Sequence, residues 1–200
     1  MRPCSARRAG APDAARRAAR LRRTVERYQA ALSAVARLRV PVIAAVHGAC
    51  IGGGVDLICA ADVRVASACA SIRVAENAIG LCPDLGTLQR LPRLVGSDSW
   101  AREVCLTARA VPAAEALARG LFSSVFPDAA AAREGALALA RAVAALSPVA
   151  VQGCKANLDF ARDHGVGSAL AYQAAWSGGS LLTEDIMKAV TEKAPTFKDC

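Results

Sequence analysis

Three carboxylates and a run of glycines are the residues of this chain best suited to moving a proton. Gly52-Gly53-Gly54 follows the apolar run Val42-Ile43-Ala44-Ala45-Val46 and precedes a segment suited to a short helix, Val55 to Ala61. A glycine run between a strand and a helix start presents backbone N–H groups at the positive end of the helix dipole, where an oxyanion or a phosphate is held. Asp56 lies two residues after the triplet, on the first turn of that helix. Glu76 follows an extended segment, and Asp84 stands in the apolar loop Gly80-Leu81-Cys82-Pro83. Burial makes a carboxyl group harder to ionise, and a neighbouring carboxylate acts in the same direction. That is how a protein obtains an acid and a base at neutral pH. Each residue also has a routine use: the glycines as a turn, Asp56 as a helix-start acid, Asp84 as a turn cap. Spacing alone does not bring the three acids together.

The elements that must position them are readable. Leu21, Val25, Tyr28, Leu32, Val35 and Leu38 recur at three- and four-residue spacing, predicting an amphipathic helix over residues 12–38 with its arginines on the other face. Residues 42–46, 62–66 and 71–74 read as extended segments, and the last precedes Glu76. Helices are predicted near 86–91, over 99–107, over 112–119 and over 129–146, with a short strand at 121–126. Two or three further helices run to about residue 192, with a break expected at Gly178-Gly179. Strands alternating with helices imply an α/β architecture.

Composition narrows the function classes. A chain of 200 residues that is 54% hydrophobic can bury a sizeable core. No window approaches the roughly 18 unbroken apolar residues of a membrane span. The net charge of +8 comes mostly from arginine and suits a polyanion, whether nucleic acid, acidic lipid or a phosphorylated carrier such as coenzyme A. Nucleic-acid binding is disfavoured, because the Arg-rich helix lacks the interleaved aromatics of a stacking platform. Cys50, Cys59, Cys69, Cys82, Cys105 and Cys154 sit in apolar or small-residue segments without a C-x-x-C pair, and read as reduced core residues. No metal is expected, since His47 and His164 stand outside any ligand-spaced cluster.

The block AAVHGACIGGGVDLICAADVRVAS, followed by Glu76 and DLGTLQRLPRLVG, resembles the signature of the enoyl-CoA hydratase/isomerase (crotonase) superfamily. The likeness continues through LTARAVPAAEALARGLFSSVFP and SPVAVQGCKANL, and covers roughly residues 12–193. RYQAALSAV, CIGGGVDL, DLGTLQRLP and ARDHGV look most like the Δ3,5-Δ2,4-dienoyl-CoA isomerase branch. The resemblance implies an α/β fold with a ClpP/crotonase-like ββα spiral core, N-terminally truncated, and a C-terminal helical oligomerisation region. The corresponding domains are a partial core at residues 12–146 and a helical region at 147–200. Residues 1–11 form an unassigned or possible targeting segment.

By the same resemblance, Gly53 would donate its N–H to a thioester oxygen, and Asp56, Glu76 and Asp84 would be the active-site carboxylates. Hydratases of the superfamily carry glutamates at the positions of Asp56 and Glu76 but glycine at that of Asp84. A 3,5- to 2,4-dienoyl shift needs an acid remote from C2, and Asp84 meets that need. The expected reading is isomerisation, with Glu76 taking the C2 proton, Asp84 protonating C6 and Asp56 tuning the pair. The alternatives are an enoyl-CoA hydratase and a non-catalytic crotonase-like subunit. The second arises because the family's F-x-x-G-x-D segment, which supplies the other oxyanion N–H, has no counterpart in Met1–Gly10. The resemblance implies an acyl-CoA thioester as substrate and no cofactor. A homotrimer or hexamer is expected. The Arg-rich N-terminus favours a mitochondrion over a peroxisome, and Lys198-Asp199-Cys200 is not an S-K-L type address.

Overall fold

A computed structural model describes residues 13–199. The possible targeting segment at residues 1–11 and Cys200 lie outside the described residues.

The first helix, α1 (Ala14–Ala36), is capped by Asp13, whose side chain accepts from the Arg16 N–H. Its apolar stripe packs less than its periodicity predicts, and no α1 residue is fully buried. Val25, Leu32 and Val35 are half-buried, whereas Leu21 and Tyr28 are 68% and 59% exposed. The anchors lie in the second half of the helix. Gln29 Nε2 donates to the Asp84 carbonyl at 2.7 Å, and Arg90 donates to Ser33 Oγ at 2.8 Å.

Two small sheets carry the site. The first contains β1 (Ile43–Val46), β3 (Val63–Ser67) and β6 (Ser124–Phe126), all parallel, in the order β1-β3-β6. The second contains β2 (Ala49–Ile51), β4 (Ser71–Arg73) and β5 (Val111–Pro112), in the order β2-β4-β5. There β2 and β4 are parallel, and β5 is antiparallel to β4. The short β2, with its pairing to β4, was not foreseen from the sequence. Val65, Ala66 and Ser67 are all buried, as a parallel strand covered on both faces requires. The core continues through Val55, Ile72, Leu91, Trp100 and Phe122.

The helices follow in order. They are α2 (Gly53–Cys59), α3 (Thr87–Leu94), α4 (Asp98–Thr107), α5 (Ala113–Ala118) and α6 (Ala129–Ala144). Beyond them lie α7 (Pro148–Asp163), α8 (Val166–Ser180) and α9 (Asp185–Thr191). The expected break at Gly178-Gly179 does not occur, because α8 runs through both glycines to Ser180. Glycine costs about 1 kcal/mol in a helix but retains its N–H and C=O, so a helix in progress can absorb it. Among the described residues, no single helix is long and apolar enough to cross a membrane.

Two buried cations fix the frame. Arg64, on β3, donates Nε to the Leu121 carbonyl at 2.9 Å and Nη1 to the Ala61 carbonyl at 2.6 Å, closing the far end of α2. Lys155, on α7, donates to Asp62 Oδ2 at 2.8 Å and to the Val40 carbonyl at 3.0 Å. Asp62 Oδ2 also accepts the Val42 N–H at 2.7 Å. Through these contacts α7 is fastened to the start of β1 and to the turn before β3.

Candidate active site

Parallel pairing of β2 with β4 is what brings chemistry together. Ile51 lies opposite Arg73, so the chain leaves both strands at the same end of the sheet. The Gly52 N–H donates to the Arg73 carbonyl at 2.9 Å, extending the pairing by one residue. From there one chain turns into α2, and the other enters a 3-10 turn at Glu76–Ile79. Glu76 therefore faces the glycine turn although 24 positions separate it from Gly52.

The turn is built for glycine. Gly52 has φ 52° and ψ −116°, a conformation that side chains with a Cβ avoid. A Cβ at Gly52 would also fall 3.0 Å from Glu76 Oε1. The N–H groups of Gly53 and Gly54 head α2, where no intrahelical acceptor precedes them. The other carboxylate oxygen, Glu76 Oε2, is buried and has no hydrogen-bond partner. A buried acceptor left unmatched costs roughly 1–3 kcal/mol, and native structures keep few of them. Gly52→Ala is expected to lower stability by about 1–3 kcal/mol through backbone strain alone. It should also displace the Glu76 carboxylate. An unchanged denaturation midpoint would show that the turn is not held in this conformation.

Buried thiols lie near the turn, and Cys50 Sγ stands 3.2 Å from where a Cβ on Gly54 would fall. Burial pushes the Cys50 thiol up to about 11 and the Cys59 thiol to about 12. The Cys105 thiol is pushed up by burial and, to a lesser degree, by the charge of Glu76. All three are buried, as the sequence led one to expect, but Cys69, Cys82 and Cys154 are exposed, since small neighbours in sequence do not guarantee burial. The 3-10 turn is held by Asn77, whose Nδ2 donates to the Cys105 carbonyl at 2.7 Å.

Asp56 is 1% exposed, and its Oδ1 accepts from both the N–H and the hydroxyl of Thr87, each at 2.7 Å. Gly86 precedes α3 with φ 131° and offers no capping side chain, so Asp56 supplies from α2 the cap that α3 lacks. Sequence reasoning missed both Gly52, as the glycine pressed on Glu76, and Thr87, as the partner of Asp56. A threonine directly after a glycine at a helix start was the available signal for Thr87.

Asp84 lies in the loop before Gly86 and is exposed, which corrects the reading of its surroundings as apolar. Leu81 points outward at 59% exposure, so the apolar loop does not enclose it. The Asp84 backbone is fixed by Gln29. Among the described residues, no hydrogen bond joins any two of Asp56, Glu76 and Asp84. Nor do these acids line the better-formed clefts, of about 250 to 470 Å³. The structure thus joins Glu76 to the glycine turn and Asp56 to the loop that carries Asp84. Chemically, the first pair offers hydrogen-bond donors beside a proton acceptor, the requirement for enolising a bound carbonyl compound. Among the described residues there is no cluster of three or more side chains able to hold a metal ion.

Residues 12–193 match the family described as enoyl-CoA hydratase/isomerase. The chain is 48% identical over 178 residues to the mitochondrial Delta(3,5)-Delta(2,4)-dienoyl-CoA isomerase of Homo sapiens, covering 89% of this chain and 54% of that protein. It is 43% identical over 179 residues to the peroxisomal enzyme of the same name from Arabidopsis thaliana, covering 90% of this chain and 64% of that one. Methylglutaconyl-CoA hydratase of Homo sapiens is 34% identical over 177 residues, covering 86% of this chain and 52% of that protein. Among solved structures, an enoyl-CoA hydratase from Bacillus anthracis superposes with a TM-score of 0.84 at 30% identity, over 96% of this chain and 73% of that one. The chain spans about half the length of the animal relatives it matches.

Proposed function

The chain belongs to the enoyl-CoA hydratase/isomerase family, and from that premise we propose that it converts 3,5-dienoyl-CoA to 2,4-dienoyl-CoA thioesters. The single observation that carries this reading is the buried, unpartnered Glu76 Oε2 beside the glycine turn. A thioester oxygen on the Gly53 N–H would set the acidic C2 hydrogens before that carboxylate. Glu76 takes a C2 proton, and the electron pair spreads onto the thioester oxygen and along the diene. The Gly53 donor acts where that negative charge develops, and such donors contribute roughly 3–4 kcal/mol. Asp84 delivers a proton to C6, and the two carboxyl groups reset by exchanging protons with water. The double bonds settle at the 2,4 positions, and the net change is one proton moved from C2 to C6.

Asp56 serves this scheme by holding Thr87, and with it the end of the loop that bears Asp84. The relatives favour isomerisation over hydration, at 48% identity to the dienoyl-CoA isomerase against 34% to the hydratase. In the same reading residues 12–146 carry the site and 147–200 the contacts between copies of a trimer or hexamer. Leu158, Val166, Leu170 and Val190, exposed at 64% or more, suit that role. The compartment is mitochondrial or peroxisomal, as the names of these relatives suggest.

The test supplies the chain with a 3,5-dienoyl-CoA and, separately, with a 2-enoyl-CoA. Isomerisation that disappears in Asp84→Asn is the expected result. Hydration that survives Asp84→Asn, with isomerisation never detected, would assign the chain to the hydratases instead. No turnover, together with stable entry into a longer relative's oligomer, would make it a non-catalytic subunit.

A further inference from the structure

Three guanidinium groups, those of Arg90, Arg93 and Arg162, line a cleft of about 460 Å³ among α1, α3 and α7, and a single carboxylate, Asp163, faces them. Arg93 is paired with Asp163, and Arg162 with Asp159 and Asp163. Arg90 differs. It is half-buried, and among the described residues no carboxylate lies within ion-pairing distance of it. Its Nη2 donates to Ser33 Oγ at 2.8 Å, and its Nη1 lies over Gly86, where any side chain would collide with it. Gln29 and Gln89 add amide groups to the same walls. An unneutralised guanidinium in a cleft with three cations and one carboxylate on its walls attracts an anion, and a planar carboxylate fits its fork.

Position says where such a carboxylate comes from. Leu85 and Gly86 line the cleft, directly after Asp84 in the chain, and Gln29 both lines it and holds the Asp84 carbonyl. An acyl chain that receives a proton at C6 from Asp84 must continue past this loop. The cleft beside that loop is lined mostly by polar side chains, which serve a methyl terminus poorly. We infer that this cleft takes the terminal carboxylate of an ω-carboxylated acyl chain, so that thioesters of dicarboxylic acids are the preferred substrate class. The inference rests on the acyl-CoA reading above and adds to it the nature of the far end.

Calorimetric titration of the full chain with decanoyl-CoA and with the mono-CoA thioester of decanedioic acid tests it. The dicarboxylic thioester is expected to bind roughly tenfold tighter at low salt, the gain of one partly exposed charge-assisted hydrogen bond, and the gap should narrow as salt is added. Arg90→Gln should abolish the preference. Arg90→Lys, which keeps the charge but not the planar fork, should retain part of the preference. Equal affinity for the two thioesters in the parent chain, or a preference that survives Arg90→Gln in full, would overturn the inference while leaving the acyl-CoA reading standing. Free decanedioate binding as tightly as its thioester would make the cleft a carboxylate site unconnected with the acyl path, and would overturn it as well. Failure of both thioesters to bind would overturn the acyl-CoA reading itself, and this inference with it.

Discussion

Glu76→Gln is expected to slow dienoyl-CoA isomerisation by about a thousandfold, or about 4 kcal/mol of transition-state stabilisation, with little loss of fold stability. The amide keeps the shape and hydrogen-bonding reach of the carboxylate but cannot accept the C2 proton. The stability expectation follows from burial. Glu76 Oε2 has no partner in the folded chain, so the substitution breaks no hydrogen bond at that oxygen and removes a buried charge. Loss of rate without loss of stability separates a proton-transfer role from a structural one. Hydrogen exchange locates the step. In deuterated water the parent chain should exchange the C2 hydrogens of a saturated acyl-CoA, and Glu76→Gln should not. Asp84→Asn should retain C2 exchange while losing net isomerisation, because it leaves the first transfer intact and removes the second. If Glu76→Gln retained more than a tenth of the parent rate, or if Asp84→Asn lost C2 exchange as fully as Glu76→Gln, the two-carboxylate scheme would fail.

What could be read from the chain beforehand was local. The glycine run after an apolar strand, the extended segment before Glu76 and the helices over 99–107 and 129–146 all depend on neighbours within a few residues. In the structure Ser97, Asp128 and Ser147 cap the helices that follow them, accepting from the Trp100, Ala131 and Ala150 N–H groups. What could not be read was pairing across distance. Nothing within β2 says that Ile51 will lie opposite Arg73, yet that register carries Glu76 to Gly52. Asp56 reads as an acid on its own helix start, and its work is done at the start of another helix 31 residues on. Asp84 was misjudged for a related reason. Leu81 and Cys82 are apolar by type but exposed, and whether an apolar loop encloses its acid depends on what packs over it. The glycines of α8 erred in the opposite direction, because propensity is a small cost that an established helix absorbs.

Asp62→Ala is expected to destabilise the chain by about 3 kcal/mol, the largest single loss of stability among these substitutions. The Lys155 side chain is 7% exposed, so its ammonium has almost no water, and its partners are Asp62 Oδ2 and the Val40 carbonyl. Removing the carboxylate leaves a buried cation with one neutral acceptor and also frees the Val42 N–H that Asp62 holds. The reverse change should cost less. Lys155→Met retains much of the side-chain volume, and Asp62, 23% exposed, keeps its bond to Val42 and gains access to water. About 1 kcal/mol is expected there, since replacing a buried charge by an apolar side chain of similar size is often close to neutral. The double substitution should then be more stable than Asp62→Ala alone by about 1–2 kcal/mol, because the stranded charge is gone. Chemical denaturation of the three variants measures these differences. Hydrogen exchange should show the early loss of protection at Val42 and along the first turns of α7, where the pair fastens helix to strand. A double variant no more stable than Asp62→Ala would mean that Lys155 is not the source of the cost, and that α7 is held to β1 by packing alone.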